Sequence, residues 1–460
     1  MTKISAELKL FLACCMITLL LPASHAPAEH IPAEQVEETL RKAAAYFQSI
    51  STSGGYAGIY SLDLEKRYGE GLYEPVSPTQ IWVQPPGTPA IGDSLLRAHL
   101  ITGESMYLAA AREAGRALCW GQRKAGGWDH LADVSRLRPD SVYPERKRGA
   151  CTFDDNITQG ALSFLINLDA VLDEEWLSDS IRLGLNHILA SQFENGAWPQ
   201  WNPLKWWHYF FNGYHDYYTF NDGAINDCIK VLLKAHGTFK EDALLISAAS
   251  GGDFIIFSQR AGPQAGWAQQ YSHDMEPARA RSFEPPGLCS AVTARNITTL
   301  VDLFLYTKDE RFLAPIPAAI AWLEESKIGK NQWARLYELE TNRPIYGDKD
   351  GKIHYDYNEI SEERKRGYAW QAEFGIASAI GYYNEVKKIG AAEYLARSSS
   401  PINPAQRVQK ADQLGQEVKA IIASLDEKGR WIDDGKIYSS TFVRNVNLLC
   451  DYLELVAVSP

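Results

Sequence analysis

Two short segments concentrate oxygen ligands at places where helices begin. Thr152-Phe153-Asp154-Asp155 and Thr219-Phe220-Asn221-Asp222 lie 67 residues apart, and each opens an apolar, helix-like run. Ser282-Phe283-Glu284-Pro285, 63 residues further on, reads as a third copy. One side-chain oxygen suffices to cap a helix and meet its dipole. These starts supply two or three, from Asp154, Asp155, Asn156, Asn221 and Asp222. Hard oxygens in such a cluster suit Ca²⁺ better than a transition metal. A carboxylate pair such as Asp155 and Asp222 also suits glycoside hydrolysis, as acid and base. Arg279 and Arg281 precede the third start, and Arg343 follows in Thr341-Asn342-Arg343-Pro344. A guanidinium grips a carboxylate bidentately, although its ordinary surface role is an ion pair.

Between these starts runs the most aromatic stretch of the chain. Trp198 to Phe220 holds eleven aromatic residues in twenty-three, with no helical or strand period. Trp198, Trp201, Trp206, Tyr214 and Tyr217 are the rings expected to stack on a substrate, with Asn221 beside them; for any single ring, core packing is the plainer role. His208 and His215 have no metal-motif spacing. No GxSxG, P-loop or dinucleotide fingerprint is present.

The elements that position these residues repeat. Glycine-aromatic turns recur at Gly54-Gly55-Tyr56, Gly126-Gly127-Trp128, Gly196-Ala197-Trp198 and Gly266-Trp267, the aromatics spaced by 72, 70 and 69 residues. Gln332-Trp333 and Gly429-Arg430-Trp431 are weaker echoes. Helical patterns precede the turns, as in Met106–Gln122, Glu175–Gln192 and Asp242–Gln259. A fixed period of this size implies one helical hairpin per repeat, stacked into an all-α, α/α toroid (an incomplete α/α barrel) with long aromatic loops and a few short strands. Equivalent helix starts then share one rim. Arg335 to Tyr357 reads as an irregular or short-stranded excursion.

Composition bounds the rest. The chain has 460 residues, 45% hydrophobic, with net charge −11. That charge argues against nucleic acid and anionic lipid as general partners. Lys3, Lys9, an apolar run from Leu10 to Leu21 and Ala26-Pro27-Ala28 read as a signal peptide over 1–28. Residues 29–460 are then expected to be one toroid domain, secreted or periplasmic, not membrane-bound, and a monomer. The remaining cysteines, Cys119, Cys151, Cys228, Cys289 and Cys450, show no tight spacing; buried free thiols are the plain reading, with room for one bridge.

The chain resembles the family 10 polysaccharide lyases, the pectic acid lyases. The motifs that carry the resemblance are Val83-Gln84-Pro85-Pro86-Gly87-Thr88-Pro89, Gly126-Gly127-Trp128, Thr152-Phe153-Asp154-Asp155, Gly196-Ala197-Trp198-Pro199-Gln200, Tyr218-Thr219-Phe220-Asn221-Asp222, Ala280-Arg281-Ser282-Phe283-Glu284, Thr341-Asn342-Arg343-Pro344 and Gly367-Tyr368-Ala369-Trp370, in family order. The resemblance implies calcium-dependent β-elimination of polygalacturonate, an acidic plant polysaccharide. It implies Asp154, Asp155 and Asp222 as calcium ligands, Arg281 as the base and Arg343 as a substrate-carboxylate arginine. Glu276 stands where the family often has lysine, and Gly223 where aspartate is common. A hydrolase on the same toroid and a catalytically silent pectate binder are the alternatives. If the signal reading holds, protein from its native host starts near Glu29 by N-terminal sequencing; retention of Met1 in a cytosolic fraction contradicts it.

Overall fold

The structure is a computed structural model and describes residues 31–135, 146–203 and 213–456. The signal-peptide reading and Trp206 lie outside the described residues.

Fourteen helices are described, in chain order α1 (Ala33–Ser49), α2 (Thr88–Thr102), α3 (Ser105–Gly121), α4 (Ile157–Leu172), α5 (Glu175–Ser191), α6 (Ala224–Phe239), α7 (Asp242–Ser258), α8 (Ser290–Thr307), α9 (Ile316–Glu325), α10 (Glu362–Gly367), α11 (Ile376–Ile389), α12 (Ala391–Ser399), α13 (Pro404–Ser424) and α14 (Ser439–Val456). Their burial separates two kinds. α5 buries one stripe, Leu177, Ile181, Gly184, Leu185 and Ile188, at the i, i+3, i+4 spacing of a surface helix. α4 buries Ile157, Ala161, Leu162, Phe164, Leu165, Ile166 and Leu168, more than one stripe holds. α4 is an inner helix and α5 an outer one.

The inner helices α2, α4, α6, α8 and α11 pack in succession, and α14 packs on α2. Among the described residues no comparable packing joins α11 to α14, so the ring is an open α/α toroid. The outer helices α1, α3, α5, α7, α9 and α13 each precede an inner one. α2, α4, α6 and α8 end in a left-handed residue, Gly103, Asp173, Lys240 and Lys308. An acidic residue follows in each case, and the next outer segment begins. One end of the toroid therefore has short turns there. The other carries the long outer-to-inner loops and the N-termini of the inner helices.

Those loops are built on the glycine-aromatic turns. The indole N–H groups of Trp128, Trp198, Trp267, Trp333 and Trp431 donate to the carbonyls of Leu118, Ile188, Ile255, Leu323 and Ile421, near the ends of α3, α5, α7, α9 and α13. The weaker echoes at Trp333 and Trp431 are thus full members of the repeat. All five rings are at most 3% exposed. This corrects one expectation: Trp198 plugs the core and meets no substrate. The glycine before it, Gly196, has φ +92 and faces the Ser250 carbonyl so closely that a Cβ would lie 2.1 Å from the oxygen.

Glutamines tie the hairpins together. Gln122 Nε2 donates to Gly126 O and Ser180 O, Gln192 Nε2 to Gly196 O and Ser247 O, and Gln259 Nε2 to Ala265 O and Pro315 O. Each amide follows its outer helix and closes its own turn while also reaching the next outer segment.

Three further expectations are settled here. The third helix start is not at Ser282–Glu284, which lies in a loop; α8 begins at Ser290, after a two-residue strand at Leu288–Cys289. The region from Arg335 carries short strands at Leu336–Tyr337, Pro344–Gly347 and Ile353–His354. All five cysteines of the described residues are free and buried. No described helix is long and apolar enough to cross a membrane.

Gln192→Met keeps the volume of the tie, strands the Gly196 carbonyl and takes the acceptor from the Ser247 hydroxyl. It is expected to lower unfolding free energy by about 2–3 kcal/mol in urea titrations. A loss under about 0.5 kcal/mol would show that the tie is idle.

Candidate active site

The two helix starts share one backbone form. Asp155 (φ 47, ψ 33) and Asn156 (φ 58, ψ 30) match Asp222 (φ 47, ψ 21) and Gly223 (φ 83, ψ 12). Consecutive left-handed residues cost about 1–2 kcal/mol each when not glycine, so the surroundings must hold them. The preceding phenylalanines do so. Phe153 and Phe220 are fully buried; Phe153 stacks on His187, and Phe220 packs on Phe254 and Tyr271. Their N–H groups donate to Gln200 O and Gln269 O. A third such turn occurs at Phe374 (φ 54) and Gly375 (φ 72), before α11.

This form brings Asp154, Asp155 and Asp222 together, one oxygen of each within 4.8 Å of the others. Each side chain is held by a neutral amide. Gln200 Nε2 donates to Asp154 Oδ2 (2.7 Å), Gln84 Nε2 to Asp155 Oδ2 (3.3 Å) and Asn221 Nδ2 to Asp222 Oδ2 (2.6 Å). Amides orient a carboxylate without cancelling its charge. Burial, reinforced by Asp222 and Asp155, pushes the Asp154 carboxyl well above the usual range. Asp155 is pushed up to about 6 by burial, then by Asp222 and Glu70. Asp222 is raised by burial, against the pull of Arg281. Asp154 Oδ1 is buried without a hydrogen-bond partner. An orphaned anionic oxygen among three crowded carboxylates fits a hard divalent cation.

Arg281 stands on the Asp222 side. Its Nε and Nη2 hold Glu284 bidentately, at 2.8 and 2.7 Å. Glu284 is 1% exposed and also accepts from the Tyr368 hydroxyl at 2.8 Å. Gln269 Nε2 donates both to that hydroxyl (3.2 Å) and to Asn221 Oδ1 (2.7 Å). One hydrogen-bonded chain thus runs from Asp222 through Asn221, Gln269, Tyr368 and Glu284 to Arg281. The Glu284 pair holds the Arg281 guanidinium strongly in its charged form. Beside Asp222 opens a cavity of about 300 Å³, lined by Arg295, Arg335, Ala291, Phe374 and Gly375.

The remaining expected residues fall into two groups. Tyr214 is half-buried within electrostatic reach of Arg281, Glu284, Asp154 and Asp222. Trp201 meets His215 edge-on (5.9 Å) and His130 (6.2 Å). Asn221 is buried and orients Asp222, so it acts through the carboxylate. Tyr217 packs edge-on against His273. Arg343 lies over the Tyr355 ring, 3.8 Å from its centroid. Arg295 and Arg335, not Arg343, are the arginines of the cavity beside Asp222.

Sequence reading missed His130, Gln200, Gln269 and Arg335, and one signal finds all four. Each lies two residues after a turn tryptophan, Trp128, Trp198, Trp267 or Trp333. Because the indole bond fixes the turn, the second residue beyond it reaches the rim. Gly223 also has a local reason: a Cβ there would sit 2.0 Å from Arg295 Nη1.

Asp155 ionises near pH 4 in an unfolded chain and nearer 6 here. The folded protein holds that proton more tightly, so without a cation stability falls as pH rises from about 4 through 6. Asp155→Asn is expected to add about 1–2 kcal/mol in chelator at pH 8, allowing for its partial exposure. The gain should vanish near pH 4. Urea unfolding across pH reads this, and no gain at pH 8 would mean the charge is already compensated.

Comparison with known proteins places the chain in a family. The sequence model described as pectic acid lyase matches residues 122–332 and 327–378, more than half of the chain. No curated protein matches. Among solved structures, a mutant family 10 polysaccharide lyase from Cellvibrio cellulosa in complex with trigalacturonic acid is 23% identical, with TM-score 0.49, over 65% of this chain and 98% of that one. A glycoside hydrolase family 76 mannosidase from Bacteroides thetaiotaomicron is 9% identical, with TM-score 0.49, over 92% of this chain and 97% of that one. Carboxylates this close are also compatible with hydrolysis, so the family match decides the reaction class: the chain belongs to the pectic acid lyases, polysaccharide lyases of family 10.

Proposed function

We propose that this lyase is an exported, calcium-dependent enzyme that cleaves polygalacturonate by β-elimination. The observation that supports calcium most is the orphaned Asp154 Oδ1 among three carboxylates oriented by neutral amides. Asp154, Asp155 and Asp222 would hold the ion. What bound calcium supplies is neutralisation of the uronate carboxylate, which eases formation of enolate-like charge at C5.

The protein's own groups do the rest. Gln84, Gln200 and Asn221 keep the three carboxylates aimed. Arg295 and Arg335, in the cavity beside Asp222, offer guanidinium groups to a uronate carboxylate. Trp201 and Tyr214 present ring faces to the sugars. Arg281 meets the C5 proton, which leaves as the C4 oxygen departs and a C4–C5 double bond forms. Its role as proton acceptor comes from the family resemblance. The Glu284 pair opposes that role, because a charged guanidinium cannot accept a proton: the step requires Arg281 to part from Glu284 and release one proton to solvent before it takes the C5 proton, and the departing C4 oxygen then takes a proton from water. Tyr368 and Gln269 keep Glu284 in place meanwhile.

De-esterified polygalacturonate should yield the ultraviolet absorbance of the unsaturated product with calcium and none with chelator. Equal rates in both would end the calcium assignment. Arg281→Ala and Arg281→Lys should both cut kcat by roughly a hundredfold or more with little change in KM. Loss confined to KM and rescued by lysine would make Arg281 a carboxylate clamp, and full activity in Arg281→Ala would remove it from the reaction.

A further inference from the structure

The first hairpin loop, outside the family-matched region, carries a feature the central site does not use. Residues Gly69 to Glu74 form a closed turn. Gly69 N donates to Glu74 O (2.8 Å) and Glu74 N to Gly71 O (3.0 Å). Glu74 Oε2 accepts from the N–H groups of Glu70 (3.0 Å) and Gly71 (3.3 Å). The turn is seated on Trp82, since a Cβ at Gly69 would lie 2.4 Å from that ring. It displays Leu72 at 51% and Tyr73 at 81% exposure. Gly71 backs the Tyr73 ring so tightly that a Cβ there would lie 2.5 Å from a ring carbon. An aromatic face held this way costs little further entropy to use.

The turn is joined to the site through packed rings, beginning with Trp82, which is itself buried. Rings follow one another from Trp82 to His130 (5.8 Å), Trp201 (6.2 Å), His215 (5.9 Å) and Tyr214 (4.2 Å). Gln84, two residues after Trp82, donates to Asp155. The charges along this row differ from end to end. Arg281, Arg295 and Arg335 act on Asp222, and Arg281 also on Asp155. At the other end the charge felt by Asp155 from the turn is that of Glu70. Arg67, the nearby arginine, is engaged with the carbonyls of Pro78 and Gln80 and lies over Tyr60. Arg67 carries a single positive charge there, but Tyr73 itself feels two carboxylates, Glu74 and Glu70, so an ionised uronate approaching Tyr73 meets net like charge, whereas an esterified one does not.

We infer that the turn Gly69–Glu74 is an outer subsite in which Tyr73 stacks on an uncharged, esterified uronate residue and Glu70 disfavours an ionised one. This rests on the pectate-lyase reading, and binding tests it apart from turnover. Calorimetry on Arg281→Ala protein with calcium would compare an unesterified galacturonate hexamer, a partly methyl-esterified hexamer and a trimer. The partly esterified hexamer should bind more tightly than the unesterified one. Adding Glu70→Gln should narrow that ratio about threefold and Glu70→Lys about tenfold. Tyr73→Ala should weaken both hexamers about tenfold and leave the trimer unchanged. An unchanged ratio in both Glu70 variants, or equal weakening of trimer and hexamer by Tyr73→Ala, overturns the subsite. Binding with the predicted ratios, but no unsaturated product from protein with Arg281 intact, supports the subsite and removes the lyase reading. No binding of any oligogalacturonate removes both.

Discussion

Everything at the rim depends on where five indole N–H groups end. Each turn tryptophan, from Trp128 to Trp431, donates to a carbonyl near the end of the preceding outer helix. That bond satisfies one of the carbonyls a helix end leaves free, and it does so inside the core, where an unmade bond is expensive. The chain then leaves each turn in the same direction. His130, Gln200, Gln269 and Arg335 consequently arrive at one mouth from four different hairpins. Glutamines 122, 192 and 259 hold neighbouring hairpins in step, so the separate contributions meet at hydrogen-bonding distance.

The site concentrates negative charge and orients it with groups that carry none. Glutamine and asparagine amides fix the rotamers of Asp154, Asp155 and Asp222 without cancelling their charge, and burial first, then neighbouring carboxylates, raises all three carboxyls. The arginines stand on one side only. Arg281 is neutralised by Glu284, and the chain through Tyr368, Gln269 and Asn221 ties that pair to Asp222. On the function proposed above, a cation would complete the carboxylates and an acidic sugar would engage Arg295 and Arg335.

Much of this was legible in the sequence. The spacing of Tyr56, Trp128, Trp198 and Trp267 announces the hairpin repeat, and the doubled Thr-Phe-Asp/Asn-Asp motif announces the convergent carboxylates. What was not legible followed from local context. Trp198 has the composition of a stacking ring, and only its place in the repeat marks it as core. Ser282-Phe283-Glu284 mimics a helix start, yet Pro285 and Pro286 follow and α8 waits until Ser290. The true third turn, Phe374-Gly375, shares dihedral angles with the others but almost no side chains. Arg295 is separated in sequence from Asp222 by whole elements, and no short pattern joins it to the site; Arg335 shows itself only once its place two residues after Trp333 is read as part of the repeat.

The missing side chain at Gly223 has a consequence beyond its own turn. Arg295 Nη1 occupies the space a Cβ would take, and Asp227 Oδ2 lies 2.7 Å from the same point. A side chain at 223 would therefore hold a left-handed backbone, φ +83, and would push aside the end of the Arg295 side chain. The two positions, one in the turn before α6 and one on α8, are thereby coupled: an acid at 223 would meet the Arg295 guanidinium at close range, so the effect of changing either residue depends on which side chain stands at the other. The charge balance of the mouth is set by that pair and not by either residue alone.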